Sequence, residues 1–328
     1  MKKIINIKTR KLIAFTCILG LLCSTNLIYA QTDSTITKTE VVKASKPKPV
    51  KNTFQSVWII DNQTVMVPVK GTFEMDIQHR FGVMNKGYKD FWGFFAPSNI
   101  RLGVSYAVSN KLNLGIGITK NNMLWDASAK YGLFTQTKGV YPVSLTYYGN
   151  MAYDTRENPT IYDGSNIKYE TDKLSFFHQL IIARKMSDKL SLQIAPSISH
   201  QNAVGGYYTK NDSTGQDIFQ TMKNTHFAIS FAGRYKLTNG TALIFNYDQP
   251  ITKHATNNPR PNLAMGFEFN TSNHSFQLFF GNYSLLSPQR NSLFNQNSPF
   301  NFTDAGSGKS FDGGQFLIGF NITRLWNY

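Results

Sequence analysis

Residues 72–82 read Thr-Phe-Glu-Met-Asp-Ile-Gln-His-Arg-Phe-Gly. Phe73, Met75, Ile77 and Phe81 share one parity, with His79 among them, while Glu74, Asp76, Gln78 and Arg80 share the other. Successive strand side chains point to opposite faces, so the stretch predicts a strand with one greasy and one polar face. Next along the chain, Ile100, Leu102, Val104, Tyr106 and Val108 oppose Arg101, Gly103, Ser105, Ala107 and Ser109. Leu112, Leu114, Ile116 and Ile118 then oppose Asn113, Gly115, Gly117 and Thr119. The same alternation covers 124–134, 142–153, 190–200, 226–237, 241–249, 262–270, 274–283 and 315–328. In 175–186 the run Leu180-Ile181-Ile182 leaves the facing open. The pattern predicts about twelve strands of about ten residues.

Strands of that length exceed the usual five or six residues and match what a tilted membrane crossing requires. The polar face is rich in Gly, Ser, Thr and Asn, which suits a lumen, and the apolar face is bulky and aromatic, which suits lipid. Connection lengths test this independently. Ser109-Asn110-Lys111, Ser187-Asp188-Lys189, Thr238-Asn239-Gly240 and Thr271-Ser272-Asn273 are tight. The intervening connections 83–98, 154–174, 203–224 and 288–314 are long, with 250–258 intermediate and 120–123 short. Segregated loop lengths predict an all-β fold, a transmembrane antiparallel β-barrel with short periplasmic turns and longer extracellular loops.

Composition agrees. Charged residues are only 16% of the 328-residue chain and aromatics are 14%, which disfavours disorder and coiled coil. The one long apolar run is N-terminal. Lys2, Lys3, Lys8, Arg10 and Lys11 precede an apolar core, Leu12 to Leu22, and Ile28-Tyr29-Ala30 offers a cleavage site before Gln31. Residues 1–30 therefore read as a secretory signal. Leu22 stands where a lipoprotein signal needs a small residue before Cys23. Cleavage removes Cys17 and Cys23, hence every cysteine, and lowers the net charge from +15 to about +10. Disulfides, thiolate metal sites and cysteine nucleophiles are then excluded. The remaining cations are scattered and the chain is exported, so nucleic acid is not an expected partner; an anionic membrane surface is.

Residues 31–53, ending Lys46-Pro47-Lys48-Pro49, read as a flexible basic leader. Residues 54–69 read as a small hairpin or plug, with its turn at Asp61-Asn62-Gln63, and 70–328 as the barrel. Near the C-terminus Phe316, Ile318, Phe320, Ile322, Trp326 and Tyr328 share one parity, and Tyr328 is last. A strand ending on an aromatic residue resembles the signal read by outer-membrane assembly machinery, which assigns Trp326 and Tyr328 to that role. Arg324 interrupts this face near its end, where it can snorkel.

Three segments carry a family resemblance: Lys70-Gly71-Thr72-Phe73-Glu74-Met75-Asp76-Ile77-Gln78-His79-Arg80-Phe81-Gly82, Asn99-Ile100-Arg101-Leu102-Gly103, and His178 to Lys185. They resemble the DUF5777-type family of uncharacterised outer-membrane β-barrel proteins of Bacteroidetes. The resemblance runs from about Val57 to the end. It implies a barrel fold and the outer membrane of a Gram-negative bacterium, and it implies no activity.

Catalytic constellations are sparse. His79, His178, His200, His226, His254 and His274 lack any ligand spacing, so neither a metal nor another cofactor is expected. No His-x-Ser pair occurs, which weakens a lipase reading; a chance rim pair among Asp154, Glu157, Asp163, Glu170 and Asp172 leaves a hydrolase as the runner-up. The lumen is more informative. Parity points Glu74, Asp76, Asp126, Asp248 and Glu268 inward, together with Arg80, Arg101, Lys130, Arg234 and Lys236. Balanced charge suits either a weakly selective polar path or a salt-bridged filling. Small inward residues, such as Gly103, Gly115, Gly117 and Ser230, leave room for water, a loop or the 57–67 hairpin. The expected function is non-enzymatic: a narrow passive channel for ions or small solutes, or a structural envelope protein. Outer-membrane lipid and the assembly machinery are the expected partners, with a loop-mediated adhesin or assembly partner as a further alternative.

Overall fold

The computed structural model describes residues 47–157, 160–161, 165–210, 214–255, 258–303 and 310–327. The expected signal peptide over residues 1–30, most of the expected leader, Asp163 and Tyr328 lie outside the described residues.

Twelve strands close into one antiparallel barrel: β1 (Thr72–Arg80), β2 (Asn99–Ala107), β3 (Leu112–Thr119), β4 (Leu124–Phe134), β5 (Ser144–Asp154), β6 (Leu174–Lys185), β7 (Leu190–Gln201), β8 (Thr225–Lys236), β9 (Thr241–Pro250), β10 (Asn262–Asn270), β11 (His274–Gly281) and β12 (Leu317–Asn327). Sequence neighbours pair throughout. The seam is closed by β12 on β1, from Gly319↔Arg80 to Asn327↔Thr72. Closure leaves no strand edge unpaired, the condition for placing a sheet in lipid.

The alternation read from the sequence is the alternation of the wall. In β1 every even-numbered position is buried, while Phe73 and Met75 are exposed. Ile116, Trp125, Met265 and Phe280 are more than half exposed on the outer face. In β6 the open question resolves with Ser175, Phe177, Gln179, Ile181 and Ala183 inward. Pro196 in β7 sits on the outer face, and the β6–β7 register skips from Gln179↔Ser197 to Ile182↔Ile194 beside it, as expected of a residue with no N–H to give.

Tight turns mark one end. At 108–111, for example, the Ser109 N–H donates to Leu112 O at 3.2 Å. Long connections mark the other end. One of them carries helix α1 (Pro288–Phe294), with proline at its start and Leu293 fully buried. Another, 81–98, bears Tyr88, Phe91, Trp92, Phe94 and Phe95 exposed. Within it Phe94 meets Phe81 at 4.5 Å between ring centroids, and Phe81 in turn lies 4.5 Å from His79 and 6.2 Å from Phe320 of the wall.

Candidate functional site: the filled lumen

The chain ahead of β1 enters the barrel from the short-turn end. Its leader is fastened there by the Val50 N–H to Gln136 O at 2.7 Å. It then forms a hairpin in which Trp58 pairs with Gln63 and Ile59 with Asn62. The turn is therefore Ile60-Asp61, starting one residue earlier than the expected Asp61-Asn62-Gln63, and Ile60 takes φ 57. A β-branched residue there is strained unless its surroundings hold it. They do: the Ile60 N–H donates to Gln277 Oε1 at 2.9 Å and its carbonyl accepts from Asn321 Nδ2 at 2.6 Å.

The remaining contacts go round the wall. Gln277 Nε2 donates to Trp58 O at 2.8 Å, Gln193 Nε2 to Gln63 O at 2.7 Å and Thr146 Oγ1 to Val65 O at 3.0 Å. Asn62 Nδ2 donates to Asn246 Oδ1 at 2.6 Å and Asp248 Oδ1 at 2.8 Å, and Asn62 Oδ1 accepts from Gln179 Nε2 at 3.1 Å. Apolar hairpin residues Phe54, Ile59, Ile60 and Val65 pack in one cluster with wall residues Tyr148, Phe177, Ile181, Ala195 and Ile244.

Nine of the ten charged lumen candidates are inward and largely engaged. Arg101 is the hub, with Asp76 at 2.8 Å, Asp126 at 2.8 Å and the Trp58 ring beneath its guanidinium at 5.4 Å. A Cβ on Gly103 or Gly117 would collide with this group, so these glycines clear space for a side chain and not for water. Arg80 pairs with Asp61 of the hairpin tip at 2.5 Å and lies 4.5 Å over Phe279. Arg234 pairs with Glu268 at 2.6 Å. Lys130 donates to the hairpin carbonyls of Met66 and Val57 at 3.0 and 3.4 Å. Asp248 accepts from Asn62 and, at 3.2 Å, from Asn262. Glu74 is buried, with one carboxylate oxygen that has no hydrogen-bond partner among the described residues. Lys236 is half-buried at the short-turn end. Of the two readings of balanced charge, this geometry is the salt-bridged filling, with the hairpin as part of it. Trp326 lies under the Arg324 guanidinium at 4.6 Å.

The long-loop end closes from above. Gln289 of α1 donates to Asn150 of the wall, Asn295 Nδ2 donates to Asn262 Oδ1 at 2.9 Å, and the Tyr283 hydroxyl accepts from Asn246 Nδ2 at 3.0 Å. Sequence reasoning missed this inner segment and the wall amides Gln179, Gln193, Asn246, Gln277 and Asn321. Their inward parity was the available signal. Two histidines far apart in sequence meet, His226 Nε2 and His254 Nε2 at 3.3 Å. Among the described residues no group of three or more His, Cys, Asp or Glu side chains could hold a metal. Three of the five rim carboxylates are held by neighbours: Asp154 by Arg156, Glu170 by Lys173, and Asp172 by the N–H groups of Tyr169 and Lys168.

A family model described as a membrane bound beta barrel domain (DUF5777) matches residues 54–326. No curated protein sequence matches the chain. Among solved structures, the COG4313 outer membrane channel from Pseudomonas putida F1 is similar at 11% identity, with 79% of this chain and 97% of that one covered and a TM-score of 0.44. The NanC porin is similar at 8% identity, with 78% and 99% covered and a TM-score of 0.41. The CymD monoaromatic hydrocarbon channel is similar at 10% identity, with 80% and 90% covered and a TM-score of 0.39.

Proposed function

Because the chain belongs to the family of membrane-bound β-barrel domains (DUF5777), we propose that it is an outer-membrane channel, non-enzymatic, held shut by its own N-terminal hairpin. One observation carries the reading: amide, hydroxyl and charged side chains from nine of the twelve wall strands turn inward onto a hairpin that is a separate piece of chain. Those polar groups are satisfied by the hairpin when it is in place and by water when it is withdrawn. A wall meant only to be filled permanently would be as stable with apolar packing, since buried ion pairs contribute little net stability over a hydrophobic replacement. The exit for the hairpin is the short-turn end, where its leader is fastened to Gln136 and Lys185.

Export follows from the N-terminal signal. Mass spectrometry of the mature protein is expected to start at Gln31, and an intact Met1 or a lipid on Cys23 would refute that. The short turns are then periplasmic, and Trp326 with Tyr328 forms the assembly signal.

The channel is tested by planar-bilayer conductance. The full mature chain is expected to be closed or to open briefly, and a variant lacking residues 54–67 to conduct steadily. If neither conducts, the structural role replaces the channel.

A further inference from the structure

We propose that the connection 81–98 docks on the lipid surface at the long-loop end of the barrel, with its rings among the acyl chains and its lysines at the lipid phosphates. This rests on the membrane-bound barrel and not on the channel reading. Long connections ordinarily stand in water. This one presents Tyr88, Phe91, Trp92, Phe94 and Phe95 outward, and Tyr88 and Phe95 are each 82% exposed. A contiguous apolar patch of this kind marks a surface that something covers.

Three features assign the cover to lipid. First, the patch is continuous with the wall that faces lipid. His79 and Phe320, on the outer face of β1 and β12, stack at 5.0 Å between ring centroids. From His79 a ladder of ring contacts runs to Phe81 at 4.5 Å, from Phe81 to Phe94 at 4.5 Å and from Phe94 to Phe91 at 5.7 Å. Phe91 then meets Phe95 at 5.8 Å and Trp92 at 5.5 Å. Second, the height fits. At the short-turn end Phe73 lies beside Trp326, 5.6 Å between ring centroids. The eight residues from Phe73 to Phe81 span ~26 Å of strand, or ~20 Å along the membrane normal at a tilt of ~40°. The apolar band of such a barrel is ~25 Å tall, so Phe81 stands inside it and the rings stacked on Phe81 begin at its boundary. Tyrosine and tryptophan prefer that level. Third, the charge fits. Lys86 and Lys89 are exposed, while the one acid of the connection, Asp90, is buried and accepts the Gly93 N–H at 3.1 Å. The outward face is therefore basic, and lipid phosphates attract such a face. The backbone holds the rings in place. The Gly82 N–H donates to Gly93 O at 3.0 Å and the Trp92 N–H to Gly87 O at 2.8 Å. A Cβ on Gly93 would fall 2.2 Å from Gly82 O. Phe91 and Trp92 take φ 50 and 52, which bulky residues keep only where the surroundings impose it.

The test is the depth of fluorescent labels on the full mature chain in vesicles of phosphatidylcholine and phosphatidylglycerol. A chain starting at Gln31 has no cysteine, so Phe95→Cys, Tyr88→Cys and a control, Gln216→Cys on the exposed part of 202–224, each carry a single label. All three are expected to stay compact in unboiled gels, because none touches a barrel pairing. The Phe95 label is expected to be quenched by lipid with a doxyl group on its acyl chain and shielded from aqueous iodide, and the Gln216 label to show the reverse. The Tyr88 label is expected to be quenched more by doxyl-phosphatidylglycerol than by doxyl-phosphatidylcholine, and Lys86→Gln with Lys89→Gln to abolish that difference. A Phe95 label as open to iodide as the control would overturn the proposal and make the rings a platform in water for a glycan or a protein. Shielding from iodide without doxyl quenching would overturn it in favour of a second copy of the chain covering the patch. Equal quenching of the Tyr88 label by the two lipids would overturn the phosphate contact. No readout depends on conductance, so failure here leaves the channel standing, and a silent bilayer leaves this surface standing.

Discussion

Removing the Arg101 guanidinium would leave Asp76 and Asp126 facing each other across a buried gap, both now held by it at 2.8 Å. Breaking a buried ion group by deleting one partner costs about 3–5 kcal/mol, because the stranded charge has lost both water and its mate. Arg101→Leu is expected to lower unfolding stability by that amount in urea titrations in lipid vesicles, and adding Asp76→Asn with Asp126→Asn to recover most of it. An Arg101→Leu protein as stable as the parent would show the group to be solvated. Parity alone placed Arg101, Asp76 and Asp126 inward. It could not say that they bind one another, because partners on adjacent strands depend on a register that loop lengths do not determine. Nor could it see Asp61 beneath Arg80, since the hairpin bears no sequence mark of its depth.

At the level of elements, β6 shows what interrupted alternation means. Leu180-Ile181-Ile182 blurred its facing, and Phe177 and Ile181 turn out to point inward onto the hairpin. An apolar residue on the lumen side is legible as a plug contact once a plug is known, and as noise before. Helix α1 is not legible in the sequence because seven residues beginning at a proline carry too little periodicity to stand out from a loop. The His226–His254 contact joins the start of β8 to the connection 251–261, and the connection 202–224 reaches the same ring through the Lys223 N–H, which donates to His254 Nε2 at 3.2 Å, and through Tyr207, 5.7 Å away. Burial, and after it the Lys223 charge, lowers the His254 pKa below the ordinary histidine value. A lowered value means the folded state holds the neutral ring, so this contribution to stability is full above the unfolded value of ~6.5 and is lost as pH falls from there through the lower folded value. Hydrogen-exchange protection over 205–210 and 214–223, corrected for the intrinsic pH dependence of exchange, is therefore expected to be lower at pH 5 than at pH 7.5, and His254→Gln to abolish most of that difference. Equal protection at both pH values would show that the ring does not hold the loop.

For the whole molecule, closure was the most legible property, because twelve alternating segments and two classes of connection leave few other arrangements. The filling was the least legible, because it depends on where 54–67 sits and the barrel wall alone does not say. A closed barrel without its hairpin keeps every strand paired, so the variant lacking residues 54–67 is expected to migrate as compactly as the mature chain in unboiled gels. A variant that runs unfolded would make the hairpin a part of the barrel's stability. The hairpin also leaves the short-turn end first in chain order, yet Ile60 is gripped by Gln277 and Asn321, 217 and 261 positions further along. Contacts of such separation form late, since the intervening chain must be ordered first. Assembly therefore proceeds through a water-filled cylinder whose earliest-made segment is the last to be seated, and during that interval a newly inserted molecule would be leaky in a way the finished one is not.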